Sequence, residues 1–174
     1  MKKEIILVIR RLAAFAMDWV VVIIWGGVLF ATVMMFTAGN PPQPANPWAG
    51  QIIGILAMTL PVTLYFSILE SSKLQASLGK RMLGLVVLSE TGQQLSFYSA
   101  LVRNVIKFIP WEIGHMVAQQ AAYSTENGIP AWVWLPIALS LLGPTWWLAG
   151  MFLQGRTPYD QWAKARVTLT IEKR

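Results

Sequence analysis

The sequence predicts an all-α membrane protein: a four-helix transmembrane bundle, one of whose crossings is polar and could instead be re-entrant, with a small cytoplasmic β element. Three observations favour this class. Of the 174 residues, 55% are hydrophobic and only 13% are charged, whereas a soluble domain has about 25% charged residues. Long uncharged runs recur along the chain, and the basic residues lie outside them. The length suits one domain, residues 1–174.

Three segments are long enough to cross the hydrocarbon core as helices, which takes about 20 residues. They extend over about residues 12–36, 52–70 and 131–153. Pro61 lies near the middle of the second segment, and Pro144 lies within the third. A proline inside a spanning helix predicts a kink whose freed carbonyl is satisfied by neighbouring helices rather than by lipid.

The basic residues divide into three groups, which the positive-inside rule places in the cytoplasm. All 14 lysines and arginines lie before residue 12, within 71–107, or after residue 153. The linkers 37–51 and 108–130 contain none, and the first of them is rich in proline. We therefore predict that the proline-rich linker is an external loop. The segment 71–107, the tail 154–174 and both termini are predicted to be cytoplasmic.

Two cytoplasmic termini require an even number of crossings, so a fourth crossing is needed. Only residues 108–125 are free to supply it, and this stretch contains Glu112 and His115. Such a helix is too polar to face lipid alone and must be shielded by other helices or by another subunit. Four helices scarcely enclose a path by themselves, so we expect a homo-oligomer. The competing interpretation is a re-entrant or interfacial helix, with the carboxyl end outside.

The predicted cytoplasmic segment and the predicted cytoplasmic tail both contain strand patterns. Residues 83–96 have a β-rich run, a Glu-Thr-Gly turn signal and a short return. Residues 167–171 alternate with a period of two, as half-buried strands do. We predict that these pieces pair into a small sheet at the inner membrane face.

A helix is predicted from Phe97 onward, with Ser96 as its N-cap. Apolar residues share one of its sides, while Arg103 and Lys107 share another. This spacing is typical of a helix that lies in the membrane interface, with basic residues reaching lipid phosphates. Lys80 and Arg81 are candidates for the same headgroup or cytoplasmic contacts. The alternative is that these residues only anchor the topology.

Four motifs, in order along the chain, resemble those of the RDD family of small membrane proteins, which is named for one arginine and two aspartates. The opening motif is residues 11–18, with arginine seven residues before aspartate. A Gly-Lys segment at 77–85 and an Arg-Asn element at 99–104 follow. The closing motif, Thr-Pro-Tyr-Asp at 157–160, continues into Ala-Lys-Ala-Arg-Val at 163–167. The resemblance therefore covers most of the chain.

The resemblance implies a small multi-pass protein, and we place it in the bacterial inner membrane with the lipid bilayer as its environment. Members of the family have been proposed to act in transport, but the family has no settled activity. One position departs from the pattern: Tyr159 stands where a basic residue or histidine usually precedes the closing aspartate. The resemblance thus predicts architecture more closely than function.

Arg11 and Asp18 are separated by seven residues, or about two helical turns, so they share one helix face about 10 Å apart. Ala14 lies between them and is small enough for another helix to approach closely. Arg11 can extend outward to phosphate, whereas Asp18 lies below the headgroups. A charged aspartate at the bilayer centre costs roughly 2.5–3.5 kcal/mol. We therefore expect Asp18 to be paired, protonated or bound to a cation.

Asp160 lies shortly after the last span, and we expect it to converge with Asp18 near the cytoplasmic end of the bundle. The leading interpretation is transport by cation/proton exchange. Asp18 would bind the proton or monovalent cation, Asp160 would be an inner gate or co-ligand, and Arg11 would set the charge balance. The alternative is a non-transporting scaffold or partner-recruiting module, in which the three residues form a structural ion-pair network between the first helix and the carboxyl-terminal segment.

Glu112 and His115 have the i, i+3 spacing of carboxylate-bridged metal sites. One copy of the pair and a single histidine are too few for such a centre, so no metal is predicted. The pair is instead a candidate for a secondary polar path toward the outside, or a simple hydrogen-bonded pair at the external surface.

The sequence lacks the residues that several other function classes require. The chain has no cysteine, which excludes thiol catalysis and Cys-ligated metals. Gly79-Lys80 lacks the first glycine and the Ser/Thr of a phosphate loop, since Leu74 and Arg81 occupy those positions. The basic residues lie beside apolar runs, which suits a membrane rather than nucleic acid. We therefore predict no enzyme, no cofactor and no nucleic-acid partner.

Overall fold

The computed structural model describes residues 2–124 and 130–170 and is mostly helical. Its elements, in chain order, are α1 (Lys2–Phe36), α2 (Pro47–Gly54), a π-helical turn (Ile55–Thr59), α3 (Leu60–Ser71), α4 (Leu78–Met82), β1 (Leu85–Ser89), α5 (Phe97–Tyr123), a 3-10 turn (Ala131–Val133), α6 (Trp134–Gln154), α7 (Pro158–Trp162) and β2 (Ala165–Leu169). Residue 125 of the predicted fourth crossing and residues 171–174 of the predicted tail lie outside the described residues.

Three of the described helices are long and apolar enough to cross a membrane, as the uncharged runs predicted. They are Glu4–Phe36, Pro47–Ser71 and Ala131–Gln154. Their large apolar side chains face outward: Ile23 is 65% exposed and Leu141 is 64% exposed. Lipid is the solvent that makes such a surface favourable, so the protein is a membrane protein. Its first helix begins ten residues before the predicted span.

The second span contains a π-helical turn just before Pro61, where the sequence predicted a kink. Proline has no N–H to donate, so the carbonyl four residues earlier, that of Ala57, loses its helical partner. The indole Nε1 of Trp25 on α1 donates to this carbonyl at 3.0 Å. A neighbouring helix therefore satisfies the freed group, and the contact ties α1 to the second span.

The predicted interfacial helix and the predicted polar crossing are one continuous element, α5, which has 27 residues and contains Pro110. Its N-cap is Ser96, as predicted, since the Ser96 hydroxyl accepts from the N–H of Ser99 at 3.1 Å.

The orientation of α5 corrects one expectation. Arg103 and Lys107 do not lie on the exposed side of the helix: they are 1% and 9% exposed, while Phe97 and Val105 on the other side are about half exposed. Lys80 is also buried, and only Arg81 of the four basic candidates is exposed. The polar face of α5 turns inward because buried carboxylates lie there to bind it.

The two strands form one antiparallel sheet, with Val87 opposite Val167. This pairing of the two strand patterns was predicted. The expected return strand is reduced to a single bridge between Leu88 and Gln94. The sheet packs against Ala14 of α1 and Ala100 of α5, so it holds the amino-terminal and carboxyl-terminal parts of the chain together.

Replacing Trp25 by phenylalanine should lower the free energy of unfolding by about 1 kcal/mol, because the carbonyl of Ala57 then loses its indole donor in the apolar surroundings of a membrane-spanning helix. Thermal unfolding in neutral detergent measures the effect. Trp48→Phe is the control, since Trp48 is more exposed than Trp25, 56% against 37%, and within residues 2–124 and 130–170 the structure gives its indole no hydrogen bond. Equal shifts in the two variants would contradict the assignment.

Candidate functional site

Asp18 is almost completely buried, with 2% of its surface exposed. One carboxylate oxygen, Oδ1, accepts the backbone N–H of Gly79 at 2.8 Å. The other, Oδ2, accepts the hydroxyl of Ser77 at 2.6 Å and lies 3.8 Å from the Nζ of Lys80. Asp18 of α1 therefore binds the start of the short helix α4, through two neutral donors and one more distant cation.

The contact between α1 and α4 depends on small residues. A Cβ placed on Gly79 would lie 2.3 Å from the backbone oxygen of Ala14 and 2.8 Å from Oδ1 of Asp18. The close approach expected at Ala14 therefore occurs, and its partner is α4. Glycine at position 79 allows the backbone N–H to reach the buried carboxylate.

Asp160 is completely buried and binds two arginines. Nη2 of Arg11 donates to its Oδ2 at 2.5 Å, and Nε of Arg103 donates to its Oδ1 at 2.8 Å. A second nitrogen of Arg11 donates to the carbonyl of Gly155 at 3.2 Å. Arg11 therefore joins the first helix to the carboxyl-terminal segment. Contrary to the expectation, its guanidinium does not extend to the headgroups.

The charge on Asp160 is held by these arginines. Burial alone would raise the pKa of its carboxyl group, but Arg103 and Arg11 hold that pKa well below its usual range. Because the folded-state pKa is lowered, this ion pairing stabilises the fold above the unfolded pKa of about 4 and is lost only as the pH falls through the lower folded value. Asp160 is therefore a fixed anion near neutral pH.

Glu70, at the end of the second uncharged run, is a member of the site that sequence reasoning missed. It is completely buried. Both its oxygens accept from Nη1 of Arg103, at 2.9 and 2.7 Å. It also accepts from Lys80 at 2.9 Å and from Asn104 at 3.0 Å. The sequence did contain a signal: Glu70 is an acidic residue within a predicted span. It was interpreted only as the end of that span.

Together these contacts form one buried network. Asp18 and Asp160 are not in direct contact; the chain of charges connects them through Lys80, Glu70 and Arg103. The expected convergence of the two aspartates is therefore mediated by residues from three other elements. Arg11 lies at the Asp160 end and not at the Asp18 end of the network.

Lys107 lies beside the network and differs from its other cations. Its Nζ is 4.1 Å from the centre of the Phe66 ring and 5.1 Å from that of Phe108. Within residues 2–124 and 130–170, the structure gives it no hydrogen bond and no ion pair. Cation–π contacts of this kind offset part of the cost of burying an ammonium.

A cavity of about 560 Å³ adjoins the network. Its walls come mainly from α1, α5, α6 and the start of α7, and it is lined by Arg11, Leu12, Phe15, Asp18, Trp19, Lys80, Arg103, Lys107, Phe108, Pro110, Trp111, Gly114, His115, Ser140, Pro144, Trp147, Leu148, Met151, Thr157 and Tyr159. Asp18 is the sole carboxylate in this lining among the described residues. Glu70 and Asp160 lie behind the cations that they bind.

Glu112 joins α5 to the second span. Its carboxylate accepts from Gln51 at 2.7 Å and from the hydroxyl of Thr59, and it lies 3.4 Å from Nδ1 of His115. His115 lines the cavity that also contains Asp18. In the part of the chain that the structure describes, no group of three metal-ligating side chains occurs.

Tyr159, the departure from the expected closing motif, packs its ring against the guanidinium of Arg103, whose Cζ is 5.1 Å from the ring centre. The ring also contacts Trp147 of α6 edge to face, with centroids 5.2 Å apart. An aromatic residue is compatible here because Asp160 already has two cationic partners, so a third cation at position 159 is not needed to neutralise it.

Comparison with known proteins gives one match. The model of the RDD family matches residues 7–167. Comparisons with curated proteins and with solved structures gave no match. The matched range contains every residue of the network and almost all of the described chain.

Replacing Asp160 by asparagine should destabilise the protein by about 3–5 kcal/mol, because two buried guanidinium groups lose their shared carboxylate. The midpoint of thermal unfolding in detergent, or the absence of folded protein, reports this loss. Glu90→Gln is the matched control, since it breaks the exposed pair with Arg156, which should contribute no more than about 1 kcal/mol. Similar unfolding midpoints for both variants would show that the buried network is not what holds the helices.

Proposed function

The chain belongs to the RDD family, and from this premise we propose that it is a membrane transporter that exchanges a monovalent cation for a proton at Asp18. One observation carries the proposal: Asp18 is a buried carboxylate in the lining of a large cavity. A carboxylate in such a place can bind either a proton or a cation, because its buried negative charge must be compensated.

The contacts support a division of labour among the residues of the network. Two of the three partners of Asp18 are neutral donors, and the lysine is 3.8 Å away. Asp160 and Glu70, in contrast, bind guanidinium groups at 2.5–2.9 Å. We therefore assign exchange to Asp18. Asp160 would act as the inner gate, because breaking its pair with Arg11 would free α1 from the carboxyl-terminal segment.

His115 and Glu112 would extend the path. His115 lines the same cavity as Asp18, and it adjoins the carboxylate of Glu112. A histidine beside a carboxylate can pass a proton between a cavity and its surroundings near neutral pH. This role fits transport and needs no covalent chemistry, and the proposal includes no enzymatic activity.

A non-transporting scaffold is the second candidate, and a specific observation favours it. The pairs between Arg11, Asp160, Arg103 and Glu70 are short, buried and fully connected, as a structural lock requires. In that case the exposed basic residues would recruit a partner, and Asp18 would act only as the cap of α4.

The proposed topology has four crossings with both termini cytoplasmic in the bacterial inner membrane. The 27 residues of α5 would extend about 40 Å at 1.5 Å per residue, which is enough to cross the bilayer. The carboxylate of Glu112 on α5 is turned toward the second span, where Gln51 and Thr59 donate to it, and so it does not have to face lipid. We propose a homo-oligomer, because the remaining polar residues of this half of α5 need further shielding.

Because the chain has no cysteine, single cysteines can test this topology. We expect an impermeant maleimide to label Gln43→Cys and Ala122→Cys in intact cells, and to label Gln93→Cys and Gln161→Cys only after lysis. All four positions are exposed in the structure. Labelling of Gln161→Cys from outside would overturn the four-crossing proposal.

Exchange itself is tested in proteoliposomes that contain a pH-sensitive dye. A gradient of Na⁺, K⁺ or Li⁺ should drive proton movement in the wild-type protein, and Asp18→Asn should reduce the rate at least tenfold. Asparagine keeps an oxygen to accept from Gly79, so the cap of α4 is retained in part. Glu90→Gln, which removes an exposed carboxylate, should exchange at the wild-type rate.

Two results would reject exchange at Asp18. Wild-type protein that is folded but silent with all three cations would favour the scaffold. Cation-driven proton movement that persists in a folded Asp18→Asn variant would assign the exchange to another group.

A further inference from the structure

The buried charges of the described residues do not balance. Four cations are buried, Arg11, Lys80, Arg103 and Lys107, but only three carboxylates, Asp18, Glu70 and Asp160. The three carboxylates are occupied by the first three cations. Lys107, which is only 9% exposed, is left without an ion pair among the described residues. An ammonium buried without a counter-charge is strongly unfavourable, so this position favours binding of an anion.

The cavity offers the place for that anion. Lys107 and Arg103 belong to its lining, whereas the carboxylates of Glu70 and Asp160 do not. The charged side chains therefore present their positive groups to the cavity and keep two of their three anions behind them. Asp18, the remaining carboxylate, is engaged by Ser77 and Gly79. Four of the five Asp, Glu, Lys and Arg residues in the lining are therefore cations.

The size and the other walls of the cavity indicate what the anion carries. A volume of about 560 Å³ far exceeds the roughly 30 Å³ that a water molecule occupies, so a bare inorganic ion would leave it mostly unfilled. Most of the remaining lining is apolar, including Phe15, Trp111 and Trp147. Pockets of this kind bind a ligand by apolar contact and orient it with a few polar groups.

We propose that the cavity binds an amphipathic anion, a phosphate head on an apolar body, with the head at Lys107 and the body against Phe15, Trp111 and Trp147. The ligand is either a free alkyl phosphate or the headgroup region of a phosphate lipid, since both have this chemistry. The proposal deepens the proposed function and rests on it for its use: a bound anion would offset the positive charge that repels a cation from Asp18.

Binding is measured at equilibrium, without a membrane gradient, by calorimetry on the full chain in dodecyl maltoside. Hexyl phosphate should bind saturably. Hexyltrimethylammonium has the same apolar body with the opposite charge and should not bind, and inorganic phosphate should bind at least tenfold more weakly. Dihexanoyl phosphatidate tests the lipid source: tighter binding than hexyl phosphate assigns the site to a lipid headgroup, and weaker binding assigns it to a free alkyl phosphate.

Variants separate the head from the body of the ligand. Lys107→Met should weaken binding of hexyl phosphate at least tenfold, whereas Lys107→Arg should retain it. Lys73→Met is the control, because Lys73 is exposed and outside the cavity. Trp147→Ala should weaken hexyl phosphate but not inorganic phosphate. This apolar variant keeps the test decisive if Lys107→Met does not fold.

The proposal is overturned if hexyl phosphate does not bind saturably, if hexyltrimethylammonium binds as tightly as hexyl phosphate, or if a folded Lys107→Met or Trp147→Ala variant binds hexyl phosphate with the wild-type affinity. Failure of this binding leaves proton exchange at Asp18 standing. Conversely, loss of exchange in the liposome experiment does not alter binding in detergent. The two proposals therefore fail separately.

Discussion

The guanidinium of Arg103 is the interaction on which the rest of the structure depends. It binds Glu70 of α3 and Asp160 of α7 at the same time. Arg11 of α1 also donates to the carboxylate of Asp160. Removing one partner of a buried pair leaves an uncompensated charge, which costs several kcal/mol. Four helices are therefore held in one arrangement by charges that none of them could bury alone.

The two short helices have parallel roles around α1. Each leads directly into a strand: α4 is followed by Gly84 with a positive φ and then β1, and α7 by Lys164 with a positive φ and then β2. Each also binds one charged residue of α1, since α4 receives Asp18 and α7 receives Arg11. Because the two strands pair, the sheet joins both contacts into a single clamp on the first helix.

The buried charged residues fall into two groups. Arg11, Asp160 and Glu70 are occupied by short ion pairs and provide rigidity. Asp18 and Lys107 face the cavity with weaker partners or with aromatic rings alone. Under the proposed function, exchange takes place at Asp18, while the short ion pairs hold the helices in place until the Arg11–Asp160 gate opens.

The sequence by itself determined the membrane class, the three apolar spans and the pairing of the two strands, because hydrophobic runs and alternation are local patterns. It also offered Arg11, Asp18 and Asp160 as candidate site residues. Only the tertiary structure decided which residues bind each other. Arg11 pairs with Asp160, Asp18 caps α4, and Glu70 lies at the centre of the ion-pair network. It also turned Arg103 and Lys107 inward. These choices depend on which helices meet, since a buried charge takes whichever opposite charge the packing brings within reach, and spacing along one helix does not contain that information.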